Sequence, residues 1–262
     1  MEKIESTKNA KVKLLMELQQ KSAERRRRGL FVVEGHRELE HCVEAGYEVD
    51  TVFVCPSVCG ELDLPQGCRV VEVTEQVYGR IAYRGTTEGI VAEVRARQLS
   101  LDDLLTDGST EAPLFVVLES VEKPGNLGAV LRSADAAGAT AVIVCDPLTD
   151  LYNPNLIRSS IGALFTVPTV ACSSEECIRF LKGNGVQILT AQLQDSLPYY
   201  DTPMTQATAI VMGTEATGLS DQWRQAADRH IRIPMLGRLD SLNVSVSAAI
   251  LMFEAVRQRQ AS

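Results

Sequence analysis

The sequence predicts an α/β protein of two domains, and three observations lead to this fold class. Short apolar runs of strand length alternate with helical patterns along most of the 262 residues. Glycine or proline closes many of these runs, as expected where a strand or a helix ends. The composition, with 45% hydrophobic and 23% charged residues, is that of an ordinary globular chain.

The first predicted domain is a small α/β unit over 1–97. Apolar residues recur at helical spacing within 8–24 and indicate a helix there. We predict strands at 31–35, 49–55 and 89–94 and helices at 36–45 and 74–82. The segment 98–113 is acidic and polar and includes a glycine and a proline, which is typical of a linker.

The second predicted domain covers 114–262 and resembles a doubly wound fold. Its first strand, at 114–121, is almost continuously apolar, as expected for a strand buried on both faces of a parallel sheet. We predict further strands at 141–145, 165–170, 186–191 and 209–213, and helices that start at Asn126, at Asn153, at Ser173 or Ser174, and at 244. Ligands of such folds bind in loops that follow the carboxyl ends of the strands.

We expect neither a membrane span nor a signal peptide in this chain. No stretch reaches the roughly 18 consecutive apolar residues of a membrane helix, and the N-terminus is charged where a signal peptide is apolar. We therefore expect a cytoplasmic protein with no membrane partner, in which the seven cysteines remain reduced. Because no cysteine pair has a histidine partner at zinc-ligand spacing, we also expect no metal.

The charge is unevenly distributed. The net charge is −8, whereas residues 1–30 carry nine basic and four acidic side chains. An acidic body argues against nonspecific coating of nucleic acid. The run from Arg25 to Arg28 has two interpretations, either contacts to a phosphate backbone or a solvated helix end.

Three loops combine glycines with polar side chains. The first, 122–139, includes Asn126 and Arg132 but lacks the GxGxxG spacing of a dinucleotide site, which speaks against an oxidoreductase. In the second, 213–220, two glycines bracket a carboxylate. The third, 233–259, passes through a Ser-Leu-Asn turn into the last helix, whose first polar residues are expected to act as caps.

In this order, the three loops resemble the signature motifs of the SpoU (TrmH-type) RNA 2′-O-ribose methyltransferases of the SPOUT superfamily. The matching stretches are NLGAVLRSADAAGA, IVMGTEATGLS and IPMLGRLDSLNVSVSAAILMFEAVRQR. The segment 31–94 is similar to the substrate-binding domain that many members carry in front. The resemblance implies S-adenosylmethionine as cofactor, a ribose 2′-hydroxyl of RNA as acceptor, a C-terminal trefoil knot, and a homodimer with the last helix in its interface.

The resemblance also implies roles for individual residues. The implied catalytic group is Arg132, Asn126, Glu215, Ser241 and Asn243. The implied cofactor contacts are Ala191, Gly213, Ile233, Met235 and Leu242. The candidate RNA contacts are Arg25, Arg26, Arg27, Arg28, Arg84 and Arg158. Because a guanidinium stays protonated, Arg132 is expected to hold a phosphate and stabilise the developing alkoxide rather than act as a free base.

Ribosomal RNA is the expected substrate, since the front domain and the stretch YNPNLIRSSIGALF resemble the rRNA-directed members. A tRNA substrate is the alternative within the same chemistry. From a different class, a non-catalytic RNA-binding assembly factor with the same fold would bind RNA but transfer no methyl group.

Overall fold

The computed structural model describes residues 2–60, 64, 66–83, 88–105, 112–214 and 217–261. The chain forms two compact units. The first unit comprises residues 1–97 and 150–166, and the second comprises 98–149 and 167–262. The expected domains differ from this division in two respects. The segment 150–166 was expected to belong with the C-terminal domain, and 98–113 was expected to be a linker rather than part of the second unit.

The described part of 2–97 forms a five-stranded sheet with helices packed on it. Its elements are β1 (Glu2–Ile4), α1 (Ala10–Gln20), α2 (Ser22–Arg28), β2 (Leu30–Glu34), α3 (His36–Glu44), β3 (Val49–Val54), α4 (Pro56–Cys59), β4 (Arg69–Val73), α5 (Glu75–Ile81) and β5 (Ile90–Arg95). The strand order is β1-β4-β3-β5-β2. Strands β1, β4 and β3 run parallel, and β5 pairs antiparallel with both β3 and β2.

The helix predicted over 8–24 is two helices in the structure. The side chain of Asn9 caps α1 by accepting from the Lys11 N–H, and the apolar stripe of α1 is buried. Lys21 then takes an extended conformation between α1 and α2. Gly29 ends α2 in the left-handed conformation at φ +63°, where a side chain would be strained.

The remaining elements mostly alternate between strand and helix. They are β6 (Leu114–Glu119), α6 (Pro124–Ala136), β7 (Ala141–Cys145), α7 (Pro154–Ser160), α8 (Ala163–Thr166), β8 (Thr169–Cys172), α9 (Ser174–Gly183), β9 (Gln187–Ala191), β10 (Leu197–Pro198), β11 (Thr208–Met212), α10 (Asp221–Ala226), β12 (Arg229–Arg232) and α11 (Val244–Gln260). Exceptions to the alternation are α8, which follows α7, and β10, which follows β9. Short 3-10 helices cover Leu101–Leu105 and Tyr199–Asp201. Helices α7 and α8 belong to the first unit and the others to the second.

The second unit is built on a seven-stranded sheet, and every pairing in it is parallel. The strand order is β10-β12-β9-β11-β6-β7-β8. Strands β6, β7 and β11 are buried along their whole length, which confirms the α/β class expected from the apolar run at 114. The parallel arrangement brings the carboxyl ends of all these strands to one edge of the sheet.

Two local predictions in the second half of the chain are wrong. Asn126 does not cap α6, because Pro124 at the first helical position starts the helix two residues earlier. The strand predicted at 165–170 is instead the end of α8 followed by β8, since the apolar Phe165 is buried from a helical turn. By contrast, Ser173 caps α9 as predicted, in a capping box with Glu176.

Contacts within the first unit explain the placement of 150–166. The buried guanidinium of Arg25 donates to the Asp150 carboxylate at 2.6 Å. The ring of Tyr152 stacks on the fully buried ring of Phe31, with centroids 4.2 Å apart. A buried ion pair and an aromatic stack thus tie this segment to the front sheet.

Within the described parts of the chain, no helix combines the length and the apolarity that crossing a membrane requires.

Candidate active site

The second unit contains a cavity of about 390 Å³ at the carboxyl edge of its sheet. The cavity lies where β9, β11 and β12 end, and the first turns of α11 close one side. This is the edge at which ligands of parallel α/β sheets bind. Its volume falls within the range of small-molecule sites, roughly 300–1,000 Å³.

The expected cofactor contacts meet in this cavity. They come from three segments distant in sequence, and the lining includes Ala191, Gly213, Ile233, Met235 and Leu242. Ser241, expected in the catalytic group, also lines the cavity. Glu215, in the second motif, lies outside the described residues.

Gly213 is the position in this cavity that a side chain would disturb most. A Cβ atom there would lie 2.2 Å from the carbonyl oxygen of Gly218, well inside van der Waals contact. The backbone that approaches Gly213 this closely is that of its own loop, at Gly218 and Leu219. The Gly218 N–H donates to the Thr214 carbonyl at 3.0 Å, which closes that loop.

A buried carboxylate holds the far end of the same loop. Glu119, the last residue of β6, is 6% exposed and accepts from the Ser220 N–H at 2.8 Å and from the Ser220 hydroxyl at 2.6 Å. Ser220 precedes α10, so this pair fixes the point at which the loop enters that helix. Sequence reasoning missed Glu119. The signal was present, because an acidic residue at the end of an otherwise apolar strand needs a buried partner.

The first and third motifs meet through two asparagines. The Asn243 side-chain amide donates to the Asn126 side-chain carbonyl at 3.2 Å. Asn243 also caps α11 by accepting from the Ser245 N–H at 2.9 Å, which confirms the expected capping role. Because capping fixes the orientation of Asn243, the start of α11 is tied to the first turn of α6.

Arg132 stands apart from this group. It is exposed on α6, six residues beyond Asn126, which is a rise of about 9 Å along a helix. Its guanidinium forms no hydrogen bond or ion pair with the described part of the chain, and it does not line the cavity. Its exposed position leaves the guanidinium accessible to a ligand from solvent.

The candidate RNA contacts of the first unit divide into several environments. Both interpretations of the run from Arg25 to Arg28 require exposed side chains, and both are wrong for Arg25, which is buried and donates to Asp150 and to the Leu18 carbonyl. Arg27 and Arg28 are exposed and both pair with Glu24.

The other candidates in the first unit also differ from one another. Arg26 is exposed. The guanidinium of Arg158 stacks over the exposed ring of Tyr83, 3.8 Å from its centroid. Arg84 lies outside the described residues.

Known proteins are similar to this chain along nearly its whole length. The sequence profile of the SpoU rRNA Methylase family matches residues 113–253, and that of the MRM3-like substrate binding domain matches 9–92. The 23S rRNA (guanosine(2553)-2′-O)-methyltransferase RlmP of Bacillus subtilis is 30% identical over 253 residues, covering 97% of this chain and 98% of that protein. The 23S rRNA (guanosine-2′-O-)-methyltransferase RlmB of Vibrio vulnificus is 35% identical over 240 residues, covering 90% and 95%.

A solved structure has the same fold over the same length. The SpoU methyltransferase AviRb from Streptomyces viridochromogenes, in complex with the cofactor AdoMet, matches with a TM-score of 0.86 and 29% identity. The match covers 97% of this chain and 100% of that one.

Proposed function

Because this chain belongs to the SpoU rRNA methylase family, we propose that it is an S-adenosylmethionine-dependent methyltransferase that acts on a ribose 2′-hydroxyl of ribosomal RNA. The observation that carries this proposal is the cavity at the carboxyl edge of the parallel sheet, where the residues expected to bind the cofactor come together. The relatives named above act on 23S rRNA, which favours rRNA over tRNA.

The lining of the cavity fits the cofactor. Apolar side chains such as Ile233 and Leu242 suit the faces of an adenine ring, and nearby backbone groups suit its polar edge. Polar lining groups such as Asp240 and Ser247 suit the charged amino-acid end of the molecule. When bound, the cofactor supplies a methyl group on a sulfonium, which is a good leaving group.

The protein contributes positioning and charge. Gly213 lets its loop fold tightly against the cavity, and Glu119 anchors the far end of that loop. The exposed guanidinium of Arg132 is suited to hold an RNA phosphate and to stabilise the oxyanion that develops on the 2′-oxygen. Asn126 lies in the first turn of α6, the helix that carries Arg132, and Asn243 caps α11, whose first turns line the cavity. With Ser241, these two asparagines offer hydrogen bonds that orient the ribose.

Three further features belong to this proposal. A C-terminal trefoil knot is included because the resemblance to the SPOUT superfamily implies it. A homodimer is supported by apolar side chains that α11 leaves exposed, including Val246 and Phe253. A cytoplasmic location is included because the bacterial relatives named above act on rRNA.

The test separates cofactor binding from methyl transfer. Leu242→Arg and Asn243→Ala are expected to weaken S-adenosylmethionine binding at least tenfold by calorimetry, because they alter the cavity wall and the cap beside it. Arg132→Ala is expected to leave that affinity unchanged and to slow methyl transfer on the order of 100-fold. Leu239→Arg is the matched control, since Leu239 lies in the same loop, is exposed and does not line the cavity.

The substrate is identified by mapping ribose methylation in RNA from cells with and without the gene. Loss of a methylated position in rRNA is the expected result, and loss confined to tRNA would overturn the rRNA assignment. RNA binding without any methyl transfer in the presence of cofactor would instead identify an assembly factor.

A further inference from the structure

Three cysteines distant in sequence meet at one point of the second unit. Cys145 is the last residue of β7, Cys172 is the last residue of β8, and Cys177 lies in the first half of α9. Their three sulfur atoms all lie within 4.8 Å of one another. We call this group the thiol cluster.

Regular structure, rather than a loop, holds the thiol cluster together. Cys145 and Cys172 are direct register partners on adjacent parallel strands. The capping box between Ser173 and Glu176 fixes the first turn of α9 and so sets the position of Cys177. The three sulfurs are therefore preorganised by backbone hydrogen bonds that do not depend on a ligand.

The cluster is buried but has an approach from solvent. Cys145 and Cys177 are fully buried, whereas Cys172 is half-buried. The neighbouring carboxylates of Glu176 and Asp146 accept hydrogen bonds from Ser173 and Ser174 respectively. Among the described residues, the ligand atoms that come within 4.8 Å of one another at this place are the three sulfurs.

We propose that the thiol cluster is a three-thiolate binding site for a soft d10 metal ion, Zn²⁺ or Cu⁺. Thiolate ligands select these ions over hard cations. With zinc–sulfur bonds of 2.3 Å, sulfurs of a tetrahedral site lie about 3.8 Å apart. Sulfurs within 4.8 Å of one another reach that spacing through movements of about 1 Å or less.

Binding is a simple exchange of protons for metal. Each thiol that becomes a ligand forms a sulfur–metal bond and releases its proton to solvent, with no change in oxidation state. Zn²⁺ held by three protein ligands takes water as its fourth ligand, and the half-buried side at Cys172 is where water reaches the cluster. Cu⁺ is satisfied by three thiolates.

The cluster is separate from the cofactor cavity. Strands β7 and β8 form one end of the sheet, and β12 and β10 form the other. None of the three cysteines lines the described cavity. A metal here would join β7, β8 and α9 and would have no part in methyl transfer, so this proposal and the proposed function stand or fall separately.

The experiment titrates Zn²⁺, and in a separate anaerobic arm Cu⁺, into the reduced full-length protein after removal of metal with a chelator. Calorimetry is expected to show a single ion bound per chain with release of protons. Cys172→Ser should lower the affinity at least tenfold, because it removes one of three ligands while keeping nearly the same size. Cys42→Ala is the matched control, since Cys42 is a buried thiol of the first unit.

A second readout requires no substitution. The unaltered protein is alkylated with and without metal, and the modified cysteines are identified by mass spectrometry. Metal is expected to slow the alkylation of Cys172 and to leave the alkylation of Cys59 and Cys68, which are similarly half-buried, unchanged. The proposal is overturned if neither ion binds stoichiometrically, if Cys172→Ser binds as tightly as the wild type, or if metal does not protect Cys172.

Discussion

The carboxylates of two buried glutamates, Glu119 and Glu93, differ in their hydrogen bonding. Glu119 in the second unit accepts hydrogen bonds from the N–H and the hydroxyl of Ser220, one on each carboxylate oxygen. Glu93 in the first unit is 5% exposed, and its Oε1 atom has no hydrogen-bond partner among the described residues. Burial, reinforced by the nearby Asp50 carboxylate, raises the pKa of Glu93 to about 7, even though Arg69, Lys11 and Arg28 act in the opposite direction.

The raised pKa of Glu93 predicts a specific dependence of stability on pH. Between the ordinary pKa of 4.5 and the folded-state value of about 7, the folded protein binds more protons at Glu93 than the unfolded chain does. The free energy of unfolding that this group contributes therefore falls as pH rises through that window. Glu93→Gln removes the effect and is expected to be more stable than the wild type at pH 8 by about 2 kcal/mol, with a smaller difference at pH 5.

Denaturant unfolding of both proteins from pH 5 to pH 8 measures this difference. Glu40→Gln is the matched control, because Glu40 is an exposed carboxylate of the same unit. A difference between Glu93→Gln and wild type that does not change with pH would contradict the prediction.

At the scale of elements, the four arginines of α2 differ in burial. Arg25 points into the first unit, where its side chain is 5% exposed and that of Asp150 is 14% exposed. The next three arginines lie on the exposed surface of the helix. The helix thus joins 150–166 to the front sheet through one residue and presents positive charge through the others.

Two variants of α2 are expected to change different properties, one the stability of the protein and the other its affinity for RNA. Arg25→Gln leaves the largely buried Asp150 carboxylate without its cationic partner and is expected to lower the free energy of unfolding by about 3 kcal/mol. Replacing Arg26, Arg27 and Arg28 together by Gln is expected to weaken RNA binding and to reduce the slope of log affinity against log salt by up to about 0.9 per lost phosphate contact.

Denaturant unfolding and RNA binding at several salt concentrations distinguish these outcomes. The triple variant should unfold like the wild type and bind S-adenosylmethionine unchanged. Identical salt slopes for the triple variant and the wild type would show that these arginines are only a solvated helix end.

At the scale of the whole molecule, α11 has one buried face and one exposed apolar face. Val244, Ala248, Leu251, Met252 and Ala255 are buried, as the spacing in the sequence predicted. Val246 and Phe253, which are seven residues apart and so share a face, are 46% and 47% exposed. A surface of this kind on the last helix is expected to pair with a second copy of the chain.

The dimer is tested by light scattering at micromolar concentration. We expect a mass near twice the 28.6 kDa of one chain. Phe253→Arg is expected to shift that mass toward the monomer, because it places a charge in the interface. Leu148→Arg is the matched control, since Leu148 is also an exposed apolar residue of the second unit. A wild-type protein with the mass of one chain would contradict the prediction.

The sequence by itself determined the α/β class and most of the element order, and its family resemblance pointed to several of the residues that line the cavity. Strand 141–145 and the cap at Ser173 agree with their predictions, because apolar periodicity and capping are local properties of the chain. The expected cofactor contacts were named through a family resemblance, since periodicity alone does not reveal that distant segments meet. Strands β1 and β10 were missed because two or three residues contain too little pattern, and the five-residue strand β4 was missed as well.

Only the tertiary structure decided where Arg25 points, which unit holds 150–166, and that three cysteines share one place. An arginine in a basic run is identical in sequence whether it is solvated or buried, and Asp150, which decides the matter, lies 125 residues away. Likewise, Cys145 and Cys172 become neighbours only when β7 and β8 pair in register. Contacts of this kind depend on which elements pack together, and that is settled by the whole fold rather than by any local stretch of sequence.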